Sequence, residues 1–201
     1  MSERVDFWFD CVCPWAWMTS RWMGEVEKVR DVHVVWHPMS LSVLNEGREL
    51  NEEYTALMDA AWLPARVVTA ALAEHGQGVV KPLYDAIGTR IHPGGRGQEL
   101  PAVVAEAVAE VGLPPELVEA AESGRFDEQL RASHAEGIGR VGQDVGTPVI
   151  ATAGTAFFGP VVTPAPKGEA AGRLWDGVLL VAGTPGFYEL KRTRDEGPIF
   201  D

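Results

Sequence analysis

Residues 10–17 read Asp10-Cys11-Val12-Cys13-Pro14-Trp15-Ala16-Trp17, DCVCPWAW. Cys-Pro-Trp-Cys at 13–16 would be a dithiol pair; here the fourth position is Ala16. Upstream, Val5-Asp6-Phe7-Trp8-Phe9-Asp10 alternates apolar and polar side chains and predicts a strand. Downstream, Pro14 suits the first position of a helix, where its missing N–H costs nothing. Trp15, Met18, Trp22, Val26 and Val29 then recur every three or four residues as one apolar face, with Glu25, Lys28 and Arg30 opposite. Residues 32–36 are rich in β-branched side chains and predict a second strand. The opening is therefore strand, cysteine turn, helix, strand, a βαβ unit.

The middle of the chain has a different texture. Residues 52–75 are rich in Ala and Leu and predict a helix with a break at Pro64. Shorter helical patterns follow at 79–91, 100–111, 115–121 and 127–145, punctuated by HPGGRG at 92–97, Gly112, Pro114 and Gly124. In the last, Leu130, His134, Ile138, Val141 and Val145 share a face. Strand patterns return at 148–151 and 155–158 with Gly154 between them, as in a tight hairpin. A helix is expected over 170–181 with Leu174, Trp175 and Val178 inward, and 183–201 is irregular.

That order is the order of a thioredoxin-like core with helices inserted in its middle. The expected fold is α/β: core residues 1–50 and 141–201, and an all-helical lid domain at 51–140. Thr147-Pro148 stands just before the third strand, where thioredoxin-like proteins place a cis proline against the cysteine turn, so a cis bond is expected there. Cys13 falls at the helix N-cap. Unpaired N–H groups and the positive end of the helix dipole favour a thiolate at that place, which predicts a lowered pKa. A thiolate is the nucleophile of disulfide exchange.

Composition bounds the rest. A chain of 201 residues with 46% hydrophobic content can pack one ordinary domain or one domain with an insertion. A net charge of −12 argues against nucleic acid or an anionic membrane as the main partner. Cys11 and Cys13 are the sole cysteines, too few for a disulfide scaffold or a cysteine-rich zinc site, and His33, His37, His75, His92 and His134 show no ligand spacing. No metal and no tightly bound cofactor are expected. The N-terminal apolar run is broken by Asp6 and Asp10, so neither a signal peptide nor a membrane span is read there, and the expected location is the cytoplasm.

On these residues the chain resembles the DsbA-like branch of the thioredoxin superfamily, and within it the actinobacterial mycothiol-dependent nitroreductases. The resemblance is carried by FWFD at 7–10, the Cys13-Pro14-Trp15 turn with Trp17, and Gly146-Thr147-Pro148. It extends through TSRWMGEVEKVRDV (19–32), MSLSVLNEGRE (39–49), FFGPV (157–161), KGEAAGRLWD (167–176) and FYELKRTR (187–194). It implies a helical lid over the cysteine turn and an oxidoreductase that reduces disulfides or electrophilic small molecules, nitroaromatics among them. Mycothiol would be the co-substrate and electron donor. It implies Cys13 as the attacking thiol, followed in the turn by Pro14, Trp15 and Ala16. Asn45 and Tyr54 would line the substrate cleft, and Thr147 and Pro148 would align the partner thiol. The implied partners are small molecules, with a homodimer left open.

The departure from the family turn is Ala16, and three readings stay open. The chain works with one thiol, a second small thiol releasing the Cys13 adduct; or Cys11 takes the resolving role; or Ala16 is an engineered replacement. On an extended strand Cys11 and Cys13 would point to the same side about 6.6 Å apart, near the upper limit of about 6.8 Å for a disulfide. Two other function classes stand beside the oxidoreductase. A kappa-class type of thiol-dependent transferase or isomerase needs no resolving cysteine but places a hydroxyl where Cys13 stands. A redox-inactive binding module is the other.

Overall fold

The computed structural model describes residues 2–152 and 154–200. Four strands form one mixed sheet in the order β2-β1-β3-β4: β1 (Glu3–Phe9), β2 (Val32–Pro38), β3 (Val149–Thr152) and β4 (Thr155–Phe158). β1 runs parallel to β2, with Phe7 opposite Trp36, and antiparallel to β3, with Phe7 opposite Ile150. β3 and β4 close as a hairpin, and Gly154 turns it at φ +79°, a left-handed conformation that glycine adopts without a Cβ clash. Helix α1 (Pro14–Val29) makes the crossover from β1 to β2. Between β2 and β3 come α2 (Leu41–Leu44), α3 (Glu52–His75), a 3-10 turn (Gln77–Val79), α4 (Val80–Ile91), α5 (Leu100–Glu110), α6 (Glu116–Glu122) and α7 (Asp127–Ile138); α8 (Gly168–Ala182) follows β4. This is the thioredoxin-like α/β fold with a helical insertion.

The pleat divides the sheet into two unequal faces. Val5, Phe7 and Phe9 point into the main core, which runs without a gap from the sheet and α1 into α3, α4, α5 and α6. Trp8 points the other way, into a small cluster with Met39, Ile138, Val149 and Ala151 under α7. Met18, Trp22 and Val26 of α1 are fully buried as their spacing predicts, while Trp15 and Val29 are half-buried. Trp17, Thr19, Ser20 and Met23 are buried as well, so α1 is covered on more than one side. Trp22 packs on Trp175 and donates its indole N–H to the Ala171 carbonyl of α8 (3.1 Å). Trp17 meets Tyr84 of α4 edge-on, and the Arg21 guanidinium lies 3.9 Å from its ring centre.

Two local expectations fail, each for a physical reason. Helix α3 does not break at Pro64. An interior proline costs a helix about 3 kcal/mol, but Pro64 sits on a buried face with Ala61, Ala65, Val67, Val68, Ala70 and Ala71. Burying that face against the neighbouring helices outweighs the lost bond. Helix α7 stops at Ile138 rather than continuing to Val145, with Gly139 as its cap and Gly142 at φ +90° just beyond. Val141 and Val145 still pack on the Trp8 cluster, from a loop.

Candidate functional site

The site begins where β1 ends. Asp10 is fully buried, and its carboxylate accepts the Val12 N–H (2.9 Å) and the Leu41 N–H (2.6 Å), while its carbonyl accepts the Cys13 N–H (3.1 Å). One side chain thus pins the cysteine turn to the loop after β2. Residues 11 and 12 form a turn, so the extended geometry assumed for Cys11 and Cys13 does not apply. Both cysteines are free thiols and both are buried.

Cys13 is the N-cap of α1, and Pro14 opens the helix. The Ala16 N–H donates to Cys13 Sγ (3.4 Å), and the thiol S–H donates to the Thr147 carbonyl (3.4 Å). The Thr147–Pro148 bond is cis, as expected. Residues 134 positions apart therefore meet at one sulfur. Ala16, three residues after Cys13, is fully buried. Thr147 Oγ1 is buried with no hydrogen-bond partner among the described residues.

The electrostatics reverse the expected sign. Burial pushes the Cys13 thiol above its ordinary value. Hydrogen bonding with Thr147 and the Ala16 N–H pull it down, the Asp10 charge pushes it up, and the Trp15 N–H pulls it down by less. Burial wins because Cys13 is only 6% exposed, and desolvation disfavours the charged form more than a helix N-terminus favours it. Burial also raises Cys11 well above the usual thiol range, with Asp10 adding to it. Asp10 itself is raised to about 6 by burial, against the two N–H groups that lower it.

The structure also brings Asn45 and Tyr54 to this region. Asn45 caps α2, and its amide donates to the Leu41 carbonyl (2.8 Å). Tyr54 lies in the first turn of α3, half-buried. Burial raises its phenol, the charges of Cys13 and Asp10 push the same way, and hydrogen bonding with Asn45 opposes them. Tyr54 is therefore within electrostatic reach of both site groups. Trp15 is half-buried, and the Arg194 guanidinium lies 5.3 Å from its ring centre.

Two residues enter the site without a motif to announce them. Asp10 reads in the sequence only as the polar end of a strand. His92, in the HPGGRG turn, caps α4 and is buried; its Nε2–H donates to the Cys11 carbonyl (2.9 Å), since a carbonyl can only accept. Burial lowers His92 to about 4, so the ring is neutral near pH 7. Among the described residues, no group of three or more His, Cys, Asp or Glu is arranged to hold a metal ion.

A profile of the Rv2466c-like family, mycothiol-dependent nitroreductase Rv2466c, matches residues 12–192. The chain belongs to this family. The match begins one residue before Cys13 and includes Thr147, Pro148, Asn45, Tyr54 and His92, but not Asp10. The chain is also 30% identical over 196 residues to the uncharacterized protein Rv2286c of Mycobacterium tuberculosis, covering 97% of this chain and 84% of that protein. Solved structures share the fold. Oxidized DsbA of Mycobacterium tuberculosis superposes with a TM-score of 0.53 at 15% identity, covering 92% of this chain and 85% of that one. DsbA of Xylella fastidiosa gives 0.54 at 22% identity, covering 89% and 85%. The cytosolic disulfide reductase DsbM of Pseudomonas aeruginosa, solved with GSH, gives 0.50 at 19% identity, covering 88% and 99%. This Rv2466c-like chain therefore has a DsbA-type fold, with Ala16 in its cysteine turn.

Proposed function

We propose that this protein is a one-thiol, mycothiol-dependent reductase of disulfides or electrophilic small molecules such as nitroaromatics, working in the cytoplasm. The observation that carries the reading is Cys13 Sγ, held at the start of α1 and 3.4 Å from the carbonyl of Thr147. Family membership supports a small-molecule thiol as partner. In this reading Trp15, Asn45 and Tyr54 line the cleft, Thr147 and Pro148 align the incoming thiol, and residues 51–140 form the lid.

The electron balance closes with one protein thiol. Cys13 thiolate forms an S–S bond to mycothiol as two electrons pass to the acceptor. A second mycothiol thiolate attacks the mycothiol sulfur of that mixed disulfide, and Cys13 leaves with the electron pair. Two thiols become one disulfide, and two protons and two electrons go to the acceptor. The Ala16 and Trp15 N–H groups, which already lower the Cys13 pKa, are the donors available to the thiolate.

The test is mycothiol-dependent reduction of a nitroaromatic by the protein and two variants. Cys13→Ser should lower the rate at least 100-fold, and Cys11→Ser should leave most of it. Equal losses would favour a cysteine pair. Thiol conjugates formed with no oxidation of mycothiol would favour a kappa-class type of transferase, the second reading that Ala16 suits.

A further inference from the structure

The irregular tail does not hang free of the molecule. Arg194 lies over the Trp15 ring, 5.3 Å from its centre, beside the cysteine turn. The Ile199 N–H donates to Thr163 Oγ1 (2.7 Å), in the loop between β4 and α8. The Phe200 ring lies 5.6 Å from that of His92, whose Nε2–H reaches the Cys11 carbonyl and whose ring also packs on Trp17. Three separate parts of the fold are thus touched by seven consecutive residues: the turn itself, the β4–α8 loop and the end of α4. An extended chain rises about 3.3–3.6 Å per residue, so residues 194–200 are long enough to lie across one side of the site.

We propose that residues 194–200 are a strap that closes the Trp15 side of the Cys13 site and sets the size of the disulfide or electrophile that reaches the thiol. The inference rests on Cys13 being the nucleophile. Two features make a strap rather than a wall. Residues 183–200 carry no regular secondary structure, and Arg194 and Phe200 are exposed, so the segment has few buried contacts to lose on lifting. Cys13 is only 6% exposed, so a bulky reactant cannot reach the sulfur without something moving. The family match ends at residue 192, before all three contacts. The cover is thus made by residues beyond the end of that match. Arg194 adds a second consequence: lifting the strap uncovers the Trp15 ring, a flat apolar surface suited to an aromatic acceptor.

The test compares the full chain with Arg194→Ala/Phe200→Ala, using iodoacetamide as a small reagent and a fluorescein maleimide as a bulky one. Mass analysis of the cysteine peptide separates Cys13 from Cys11 labelling. In the variant, the maleimide rate at Cys13 should rise at least 10-fold while the iodoacetamide rate changes less than twofold, and Cys11 should stay slow. Arg194→Lys, which keeps a cation over Trp15, should restore much of the difference. An unchanged maleimide rate at a Cys13 that reacts with iodoacetamide would overturn the strap alone. A parallel rise at Cys11 would mean the whole turn has loosened, and would overturn it too. A Cys13 inert to iodoacetamide in both proteins would defeat the nucleophile reading, and the strap with it.

Discussion

The two flanks of the cysteine turn are built on different terms. On the core side the contacts are backbone groups and one carboxylate: Asp10 holds the Val12 and Leu41 N–H groups, and the Thr147 carbonyl receives the Cys13 thiol. On the insertion side they are packed rings and a neutral histidine. Tyr84 stacks on Phe9 with ring centres 3.9 Å apart, Trp17 lies against Gly88, and His92 reaches the Cys11 carbonyl. The core side thus orients the sulfur, and the insertion side desolvates it. A thiol at a helix start would ordinarily be acidified; here the inserted helices help bury it, and its pKa rises instead.

Breaking the insertion side should cost the most stability. A Cβ at Gly88 would lie 2.2 Å from Trp17 Cζ3 and 2.3 Å from Cε3, and the Trp17 ring is buried beneath α4. Gly88→Ala should therefore destabilise the protein by about 3 kcal/mol in chemical denaturation, the upper part of the overpacking range. A loss below about 1 kcal/mol would mean that α4 is free to shift away from α1.

His92 gives a smaller, pH-dependent effect on the same side. Its folded pKa is depressed from 6.5 to about 4, so between those values the unfolded chain binds the proton and the native state does not. Stability therefore falls as pH drops from about 6.5 to 4. The displacement corresponds to at most about 3 kcal/mol, and about 2 is expected for a ring that keeps some solvent contact. His92→Gln should lack this component, so the stability difference between the proteins should shift by about that amount over the window. Parallel pH curves would remove the buried neutral histidine from the account.

The core side sharpens the comparison with the smallest effect. Asp10 pushes the Cys13 pKa up, behind burial in rank. Asp10→Asn should move the pH profile of Cys13 alkylation toward lower pH, and only where Asp10 is ionised, above about pH 6. The midpoint should stay above that of an ordinary thiol because burial remains. A shift to higher pH would mean that the carboxylate acts mainly by placing the turn, since an asparagine oxygen cannot replace both of its bonds.

The same asymmetry decides what the sequence discloses. The strand–turn–helix at Val5 to Val29 and the Thr147-Pro148 pair are motifs with local rules, and they lead to the fold and to the residues around the sulfur. Pro64 misleads because the local cost of a proline is visible in sequence and the burial that offsets it is not. His92 stays hidden because one hydrogen bond to a carbonyl 81 residues away follows no spacing. The sign of the Cys13 shift is hidden for the same reason: a helix N-cap is written locally, while desolvation is the sum of everything the whole fold packs around it. Asp10 is legible as a strand end, and its role appears only when Leu41 is folded beside it.

The central claim is that Cys13 works alone, with the methyl group of Ala16 where a second thiol would stand. Its most direct test is the lifetime of the adduct formed when the protein meets mycothiol disulfide, followed by intact mass after the excess reagent is removed. In the present chain the Cys13–mycothiol disulfide should persist until free mycothiol is added. In Ala16→Cys, residues 13 and 16 sit on one helix face, and the adduct should decay unaided to an internal disulfide, releasing mycothiol. Equal, rapid decay in both proteins would contradict the claim and assign the resolving role to Cys11, the sole other thiol in the chain.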